Sequence, residues 1–492
     1  MKEKTRTSPQ DKIEHAVVIG AGIAGLVAAR ILHDRAAKVT LIERDPLTED
    51  TSQHRGVPQG QHFHALMGAG FQVLCQLFPT LLENLDRAGI EIGDAGRDWL
   101  LFDQHGVWLP RFPYGVPSIG CSRAVFEQHV RRLLISLPNI ELHSGQTVCG
   151  LYGDKRSNRI SGVRLARKDD PAREEILRAD LVVDASGRGS RTPAWLGELG
   201  YSPPPDEEVA VNIAYVSRLY RQPAGPPPDW QLLGIHPTAS HGRRGGYIHR
   251  ITDGLAMVTF LGLSGEKPPL DEAGFLEFAR SLPQSHIYNY MQRATPAGEP
   301  CAFKFPSNRR RHYELIDQMP DGLVVLGDAV YMTTPTYGQG MMLPCLSAVE
   351  LGRCLDEQRE PSLRGLSQRF QKRLATLLAV PWSSVITEEL RRPETVGPRP
   401  PWLSLIHWYS HGVLDLGAID REVGLDIARV VHMLGSPRLL IGPSTVLKVL
   451  RLRLQQLATS SKLVGAPPTP DRTPSFIMNP HPLLQRSYAE LK

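Results

Sequence analysis

The stretch HAVVIGAGIAGLVAARILHDRAAKVTLIER, residues 15–44, decides the fold. A short apolar run ends at Gly20, glycines recur as Gly20-x-Gly22-x-x-Gly25, and apolar residues follow at helical spacing before a second apolar run ends at Glu43. This pattern predicts a strand, a tight turn, a helix and a second strand. Such a turn lets the helix N-terminus hold a pyrophosphate, and the terminal acid can bind a ribose without a 2′-phosphate. We therefore predict a dinucleotide site with contacts from Gly20, Gly22, Ala24, Gly25, Glu43 and Arg44.

The composition of the chain excludes several classes of protein. Its 492 residues include 56 Lys and Arg against 51 Asp and Glu, and 41% are hydrophobic. This apolar content excludes disorder, and a net charge of +5 with scattered basic residues argues against a nucleic-acid partner. The six cysteines form no C-x-x-C pair, so neither a zinc cage nor a disulfide framework is expected. Since the sequence shows no signal peptide and no membrane span, we expect a cytoplasmic protein.

Further along the chain, two kinds of apolar pattern alternate. The continuous runs at 179–185 and 322–327 are typical of strands in a parallel sheet, whereas the patterns at 99–112, 209–219 and 246–261 indicate an antiparallel sheet. We predict an α/β fold: a Rossmann-like FAD- or NAD-binding domain with an inserted antiparallel β-sheet substrate domain and a C-terminal helical region. The predicted segments are a flexible N-terminus at 1–14, the dinucleotide-binding domain at 15–98, 121–205 and 306–395, the substrate domain at 99–120 and 206–305, the helices at 396–465 and a tail at 466–492.

A second glycine-rich stretch, GDAVYMTTPTYGQGMM at 327–342, follows one of the buried apolar runs. It resembles a segment of the FAD-dependent oxygenases of the aromatic-hydroxylase fold, in which the aspartate holds the ribityl chain and the glycines pass the flavin ring. A helix that begins after Gly340 would direct backbone N–H groups at a reduced flavin. The resemblance implies FAD as the cofactor, with contacts from Gly327, Asp328, Pro335, Gly338, Gly340 and Met341.

Three segments between these motifs are similar to the same family. Arg123, at the start of a predicted helix, resembles the arginine that reaches the FAD, and Thr147-Val148 resembles the strand edge beside the adenine. The stretch ADLVVDASGRGSR at 179–191 resembles the family's Asp-Gly segment, although it reads Asp-Ala-Ser-Gly at 184–187. The resemblance implies further cofactor contacts from Arg123, Val148, Asp184 and Gly187.

A narrower resemblance covers roughly residues 15–380. The stretch RGVPQGQHFHALM at 55–67, the segment 179–191 and Asn308-Arg309-Arg310 together resemble the flavin-dependent epoxidases of polyether antibiotic biosynthesis. This resemblance implies epoxidation or hydroxylation of a hydrophobic polyketide or isoprenoid through a flavin C4a-hydroperoxide. The electrons would come from NADPH or NADH, directly or through a separate flavin reductase, because no second dinucleotide motif is visible.

The catalytic candidates are few. His62 and His64 stand two residues apart, but two histidines without a third ligand make a poor zinc site, so we predict no metal. A flavin contact, a substrate contact and a structural role stay open for them, and Gln59 joins them as a candidate. The sequence shows no dedicated general base, which favours attack on an alkene over attack on a phenol. For the wall of the substrate pocket we expect Tyr215, Tyr247, Met257, Pro335 and Tyr337.

Other functions remain open from the sequence. A reductase or dehydrogenase of an isoprenoid, or a non-catalytic flavoprotein, would share the FAD motifs. A halogenase is disfavoured because the chain lacks the W-x-W-x-I-P signature. The apolar stretch 428–457 could cap the FAD domain, meet a second subunit or lie on a membrane surface, and we expect a monomer or homodimer.

Overall fold

The computed structural model describes residues 13–47, 58–166, 174–238, 242–358, 362–459 and 466–473. Residues 55–57 of the epoxidase-like stretch, and residues 1–12 of the predicted N-terminal segment, lie outside this description.

Within the described ranges, the strands in chain order are Ile13–Ile19 (β1), Ala36–Glu43 (β2), Ile92–Asp94 (β3), Trp99–Phe102 (β4), Pro117–Ile119 (β5), Ile140–Ser144 (β6), Thr147–Asp154 (β7), Arg159–Ala166 (β8), Glu174–Arg178 (β9), Leu181–Asp184 (β10), Asp206–Arg221 (β11), Leu232–Ile235 (β12), Arg244–Ile251 (β13), Leu255–Gly262 (β14), Thr295–Pro296 (β15), Cys301–Arg311 (β16), Leu323–Val325 (β17) and Tyr331–Met332 (β18). The helices are Ile23–His33 (α1), Gly68–Leu77 (α2), Leu81–Arg87 (α3), Ala95–Asp98 (α4), Arg123–Ile135 (α5), Thr192–Glu198 (α6), Glu272–Arg280 (α7), His286–Met291 (α8), Gln339–Asp356 (α9), Leu366–Glu389 (α10), Leu403–Gly417 (α11), Arg421–Val431 (α12) and Pro443–Thr459 (α13).

A parallel sheet forms the first layer of the molecule. Its order is β17-β10-β1-β2-β6, so the strand before the glycine turn lies in the middle. Strand β1 is parallel to β2 and β10, and Val18 lies between Leu41 and Val183. These side chains are fully buried because helices cover the sheet, and α1 packs against both α5 and α9. The parallel sheet that the apolar runs predict is thereby confirmed.

A larger, mostly antiparallel sheet forms the second layer, in the order β18-β16-β11-β14-β13-β12-β4 with β15 beside β11. A tight turn at Asp253-Gly254 joins β13 to β14, and the two residues have φ values of +64° and +65°, as in a type I′ hairpin. One face of this sheet packs on α7 and α8, and the other face carries aromatic side chains toward the parallel sheet. The predicted α/β fold with an inserted antiparallel sheet is confirmed, while the exact segment boundaries stay a prediction.

The C-terminal helices α11, α12 and α13 pack around a small apolar core of their own. The residues that follow α12 connect them to the rest of the molecule. His432 is buried, its Nδ1 accepts the backbone N–H of Gly68, and its carbonyl accepts that of Ala69. The C-terminal region therefore caps the N-terminus of α2. Among the described helices, none is long and apolar enough to cross a membrane.

Candidate cofactor and substrate site

The turn between β1 and α1 is built by close backbone contact. Gly20 has a φ of +98°, and its N–H donates to the carbonyl of Ile42 over 2.8 Å. A Cβ atom on Gly25 would stand only 1.8 Å from the carbonyl oxygen of Gly20. Only glycine allows this approach, which starts α1 directly against the strand. In the described ranges no side chain caps α1, whose N-cap is Gly22, so its first N–H groups face the cleft.

Glu43 holds the same turn from the end of β2. Its Oε2 accepts the backbone N–H of Ala21 over 2.8 Å, and its Oε1 accepts that of Asp45 over 3.0 Å. The side chain is 5% exposed and still lines the cleft. Glu43 therefore fixes the turn while it presents a carboxylate at the place where the sequence predicts a ribose.

A cleft of about 490 Å³ runs from this turn across the carboxyl edge of the parallel sheet. Such an edge is the usual ligand site of open α/β sheets. The structure brings most of the predicted cofactor residues together here. Those that line the cleft are Gly20, Gly22, Ala24, Glu43, Arg44, Arg123, Val148, Gly187, Asp328 and Gly340.

Two predicted cofactor residues lie behind the cleft. Gly25 contacts Gly20, as described above. Asp184 is fully buried, and its carboxylate accepts the Oγ–H and N–H of Ser186, the hydroxyl of Ser190 over 2.5 Å and that of Thr192 over 2.7 Å. Because the following residues donate all of these hydrogen bonds to the carboxylate, Asp184 holds the segment 185–191 in place. That segment lines the cleft, whereas Asp184 itself does not.

Asp328 lies at the inner end of the cleft. Burial raises the pKa of its carboxyl to about 6, and the charges of Arg123 and Arg188 oppose that rise. Both arginines line the cleft with it. Arg188 is not among the predicted cofactor residues, although it lies within residues 179–191. Its guanidinium lies 5.0 Å from the centroid of the Phe303 ring.

The two candidate histidines have positioning contacts. His64 Nδ1 donates to the carbonyl of His62 over 2.9 Å, so its Nε2 can accept from Arg123 Nη1 at 3.3 Å. Arg123 also donates through Nε to Glu127 over 2.7 Å. Burial, followed by the charge of Arg123, lowers the pKa of His64 to about 3, so the ring stays neutral. His64 therefore orients the arginine at the inner end of the cleft.

A second cavity of about 300 Å³ opens between the two sheets. It shares Gln59, Arg123, Arg188, Asp328, Gly340 and Pro344 with the cleft. Its aromatic wall consists of Phe63, Trp99, Tyr215, Tyr247, Phe303, Phe305, Tyr331 and Tyr337. Of the predicted cofactor residues, Gly327, Pro335, Gly338 and Met341 line this cavity.

The predicted pocket wall needs one correction. Tyr215, Tyr247, Pro335 and Tyr337 do line the cavity. Met257 does not: it lies two residues before Thr259 on β14, so it shares the strand face but stands beyond the edge of the cavity. The alternation of side chains along a strand predicts which face of the sheet a residue lies on. It does not predict how far the cavity extends along that face, because this depends on the segments that pack against the sheet.

The boundary between the cleft and the cavity fits a bound FAD. Gln59 lines both spaces, and its Oε1 is buried without a hydrogen-bond partner among the described residues. Buried polar atoms are nearly always paired, so this oxygen indicates a ligand with a donor. The uncapped N-terminus of α1 suits a pyrophosphate. Nowhere in the described ranges do three or more His, Cys, Asp or Glu side chains form a group that could hold a metal ion.

Comparisons with known proteins agree with this site. A family model described as FAD dependent oxidoreductase matches residues 15–106. Protein Rv3254 of Mycobacterium tuberculosis is 33% identical over 401 residues, which cover 79% of this chain and 83% of that protein. Squalene monooxygenase 1,2 of Brassica napus is 23% identical over 342 residues, covering 69% of this chain and 60% of that protein. The structure of the flavin-dependent brominase Bmp2 matches with a TM-score of 0.62 and 12% identity, over 91% of this chain and 100% of that chain, which shows a shared fold.

The matched family model covers the strand, turn and helix that build the cleft, and the likeness to Rv3254 extends over most of both chains. The chain therefore belongs to the same family as Rv3254, and it shares its fold with the flavin-dependent brominase Bmp2.

Proposed function

We propose that the protein is an FAD-dependent monooxygenase that epoxidises or hydroxylates a hydrophobic natural-product intermediate, a polyketide or an isoprenoid. One observation carries this proposal: the aromatic cavity of about 300 Å³ opens directly onto the inner end of the cofactor cleft. The cavity is within the usual size range of small-molecule sites, although at its lower end. The likeness to squalene monooxygenase 1,2 supports oxygen transfer.

Bound FAD would supply the activation of dioxygen and the transfer of one of its atoms. The protein binds and orients the cofactor. The N–H groups at the start of α1 would hold the pyrophosphate, Glu43 would bind the ribose and Asp328 would bind the ribityl chain. The N-terminus of α9, which begins at Gln339, directs N–H groups and a partial positive charge toward the flavin side of the cavity.

The cavity wall excludes water from the reacting atoms. Most of its aromatic side chains come from the antiparallel sheet, and Phe63 and Tyr337 come from segments outside that sheet. Arg188 covers Phe303 where the cleft and the cavity meet. A dry wall protects a reactive oxygen donor from hydrolysis and also strengthens the electrostatic contacts inside the cavity.

The wall offers no effective base for deprotonating a phenol. Asp328 is the one acidic residue among the described residues that line the cavity, and it lies on the cofactor side. Burial lowers the pKa of His236 to about 4 and, with the Arg123 charge, that of His64 to about 3. We therefore infer attack on an alkene, which needs no base, and retain Gln59 as the candidate contact at the reacting end.

The electrons would come from NADPH or NADH, directly or through a separate flavin reductase. An anaerobic titration of the FAD-loaded protein with each nicotinamide, followed by a flavin reductase, distinguishes these routes by bleaching of the flavin absorbance. Air and an alkene are then supplied to the reduced protein. Consumption of oxygen with formation of an oxygenated product supports the proposal. Saturation of the alkene without oxygen consumption would instead identify a reductase, and a flavin that cannot be reduced would identify a non-catalytic flavoprotein.

A further inference from the structure

One face of the antiparallel sheet forms the floor of the cavity. This floor carries a row of polar side chains that oxygen transfer does not require. Ser217 on β11, Thr259 on β14 and Tyr247 on β13 are direct cross-strand neighbours. On the next strand, β12, the residue opposite Tyr247 is Gly234. A Cβ atom at Gly234 would stand 3.0 Å from the Tyr247 ring, so the absence of a side chain there leaves room for the ring. The row crosses an otherwise apolar floor, and Thr259 and Tyr247 line the cavity.

Thr259 is the last member of a buried hydrogen-bonded chain. Its Oγ1 lies 2.6 Å from Ser217 Oγ, which lies 2.7 Å from His62 Nδ1. The backbone N–H of Phe63 also donates to Thr259 Oγ1 over 3.3 Å. At the other end, His62 Nε2 is buried and has no hydrogen-bond partner within the described chain.

The unpaired nitrogen sets the direction of this chain. Buried N–H groups without an acceptor are the rarest unpaired groups in proteins, so the proton of the neutral His62 ring is on Nδ1. His62 then donates to Ser217, and Ser217 donates to Thr259. Both lone pairs of Thr259 Oγ1 are thus occupied, by Ser217 and by the Phe63 N–H. The hydroxyl proton of Thr259 is left to point into the cavity.

Tyr247 and His236 add a second neutral pair to the same wall. The Tyr247 hydroxyl lies 3.5 Å from His236 Nδ1, and the Tyr247 ring stacks on Phe63 with the ring centroids 5.2 Å apart. Burial lowers the pKa of His236 and raises that of Tyr247, so both groups are uncharged near neutral pH. Both line the cavity and neither lines the cleft, so the pair lies away from the cofactor side.

We propose that Thr259, Tyr247 and His236 form a binding site for an uncharged oxygen acceptor, such as a carbonyl or ether oxygen, on an otherwise apolar substrate. This inference rests on the proposed function, because it names the part of the substrate that is bound away from the reacting position. A pure hydrocarbon leaves the Thr259 donor unpaired and desolvated. A carboxylate meets no cation on this wall, since Arg123 and Arg188 lie on the side shared with the cofactor.

The test is calorimetric titration of the oxidised, FAD-loaded protein with three probes of one carbon skeleton: farnesal, farnesene and farnesoate. One neutral hydrogen bond predicts that the aldehyde binds about 3- to 10-fold more tightly than the hydrocarbon, with the acid weakest. Thr259→Val should bring the aldehyde-to-hydrocarbon ratio close to one. Thr259→Ser, which keeps the hydroxyl, should restore it.

Tyr220→Phe is the matched control, because this buried tyrosine lies on the opposite face of the same sheet, against Phe275. It should leave the ratio unchanged. Equal affinity for aldehyde and hydrocarbon, tightest binding of the acid, a ratio unaffected by Thr259→Val, or no binding of any probe would overturn the inference. The titration contains no reductant and therefore measures binding alone. A protein that does not oxygenate the probes can still show the predicted affinity ratio, so failure of the proposed oxygenation is distinguishable from failure of the proposed binding site.

Discussion

Gly25 occupies a position where any side chain would collide with the backbone. The nearest atom to an added Cβ is the carbonyl oxygen of Gly20, at 1.8 Å. Gly25→Ala should therefore push α1 away from β1, lower the free energy of unfolding by about 1–3 kcal/mol and abolish FAD binding. Thermal unfolding and flavin fluorescence of the variant measure both effects.

Gly189→Ala is the control for this substitution. Gly189 lines the same cleft, yet an added Cβ would meet nothing within 4 Å. This variant should unfold at the temperature of the unaltered protein. Equal effects of the two substitutions would contradict the close-approach explanation.

Asp328 gives a second prediction at the scale of one residue. Its pKa is raised to about 6 by burial, so the folded FAD-free protein is destabilised by the carboxylate above pH 6 and not below about pH 4. Asp328→Asn removes this cost. The variant should be about 1–2 kcal/mol more stable at pH 8, after allowance for solvent in the cleft, and should bind FAD more weakly.

Urea unfolding of the FAD-free protein and of the variant at pH 8 and pH 4 measures this difference in the free energy of unfolding. The difference between them should shrink to a small fraction at pH 4, where the carboxyl is protonated in the folded state and about half protonated in the unfolded state. A variant that is less stable at pH 8 would show that Asp328 is a structural ion-pair partner of the arginines.

At the scale of elements, the cap that His432 provides for α2 joins the C-terminal helices to the cavity. Val431, the last residue of α12, lines the cavity, and His432 accepts the N–H of Gly68 over 3.0 Å. His432→Ala should cost about 1 kcal/mol of stability, as the loss of other helix caps does, and should speed hydrogen exchange at Gly68. Exchange at Ala69 should change less, because its N–H donates to the backbone carbonyl of residue 432, which the substitution retains. Exchange measured by mass spectrometry tests this. His143→Ala, whose side chain is 40% exposed, should leave exchange at these amides unchanged.

The sequence predicts the elements better than it predicts the contacts between them. The order of strand, glycine turn and helix follows from local residues, as does the β13–β14 turn with Asp253 and Gly254. Asp184 shows why the site is harder to predict. A buried acid after a strand suggests a ligand contact, but hydroxyls up to eight residues later already satisfy it. Hydrogen-bond partners of this kind become visible only in the folded loop.

The cavity is less predictable still, because it forms between distant segments. Phe63, Trp99, Phe303 and Arg188 come from four parts of the chain and carry no common motif. The cofactor half of the site, by contrast, lies within continuous stretches whose spacing has a physical reason. The polar row of the cavity floor depends on register across three strands, which the sequence does not specify.

At the scale of the whole molecule, buried histidines predict loss of stability in acid. Burial lowers the pKa of six described histidines to about 4 or about 3, namely His62, His64, His105, His236, His249 and His432. Unfolding lets these rings take up protons below pH 6.5, so the free energy of unfolding falls as the pH falls toward 4. Asp103 and Asp328, whose pKa values rise to about 6, have the opposite effect and raise the free energy of unfolding as the pH falls. Because there are two of them against six histidines, the loss of stability should prevail. Urea midpoints of the FAD-free protein at pH 7.5, 6 and 5 should decrease in that order, and a constant or rising midpoint would contradict this balance.

We propose that FAD bound in the cleft delivers an oxygen atom to a substrate in the adjoining aromatic cavity. The most direct measurement is a single turnover of the reduced, FAD-loaded protein with ¹⁸O₂ and farnesal, followed by mass spectrometry of the product. We expect one ¹⁸O atom per product molecule, inserted at a double bond. A product without the label, or hydrogen peroxide with unchanged farnesal, would contradict it.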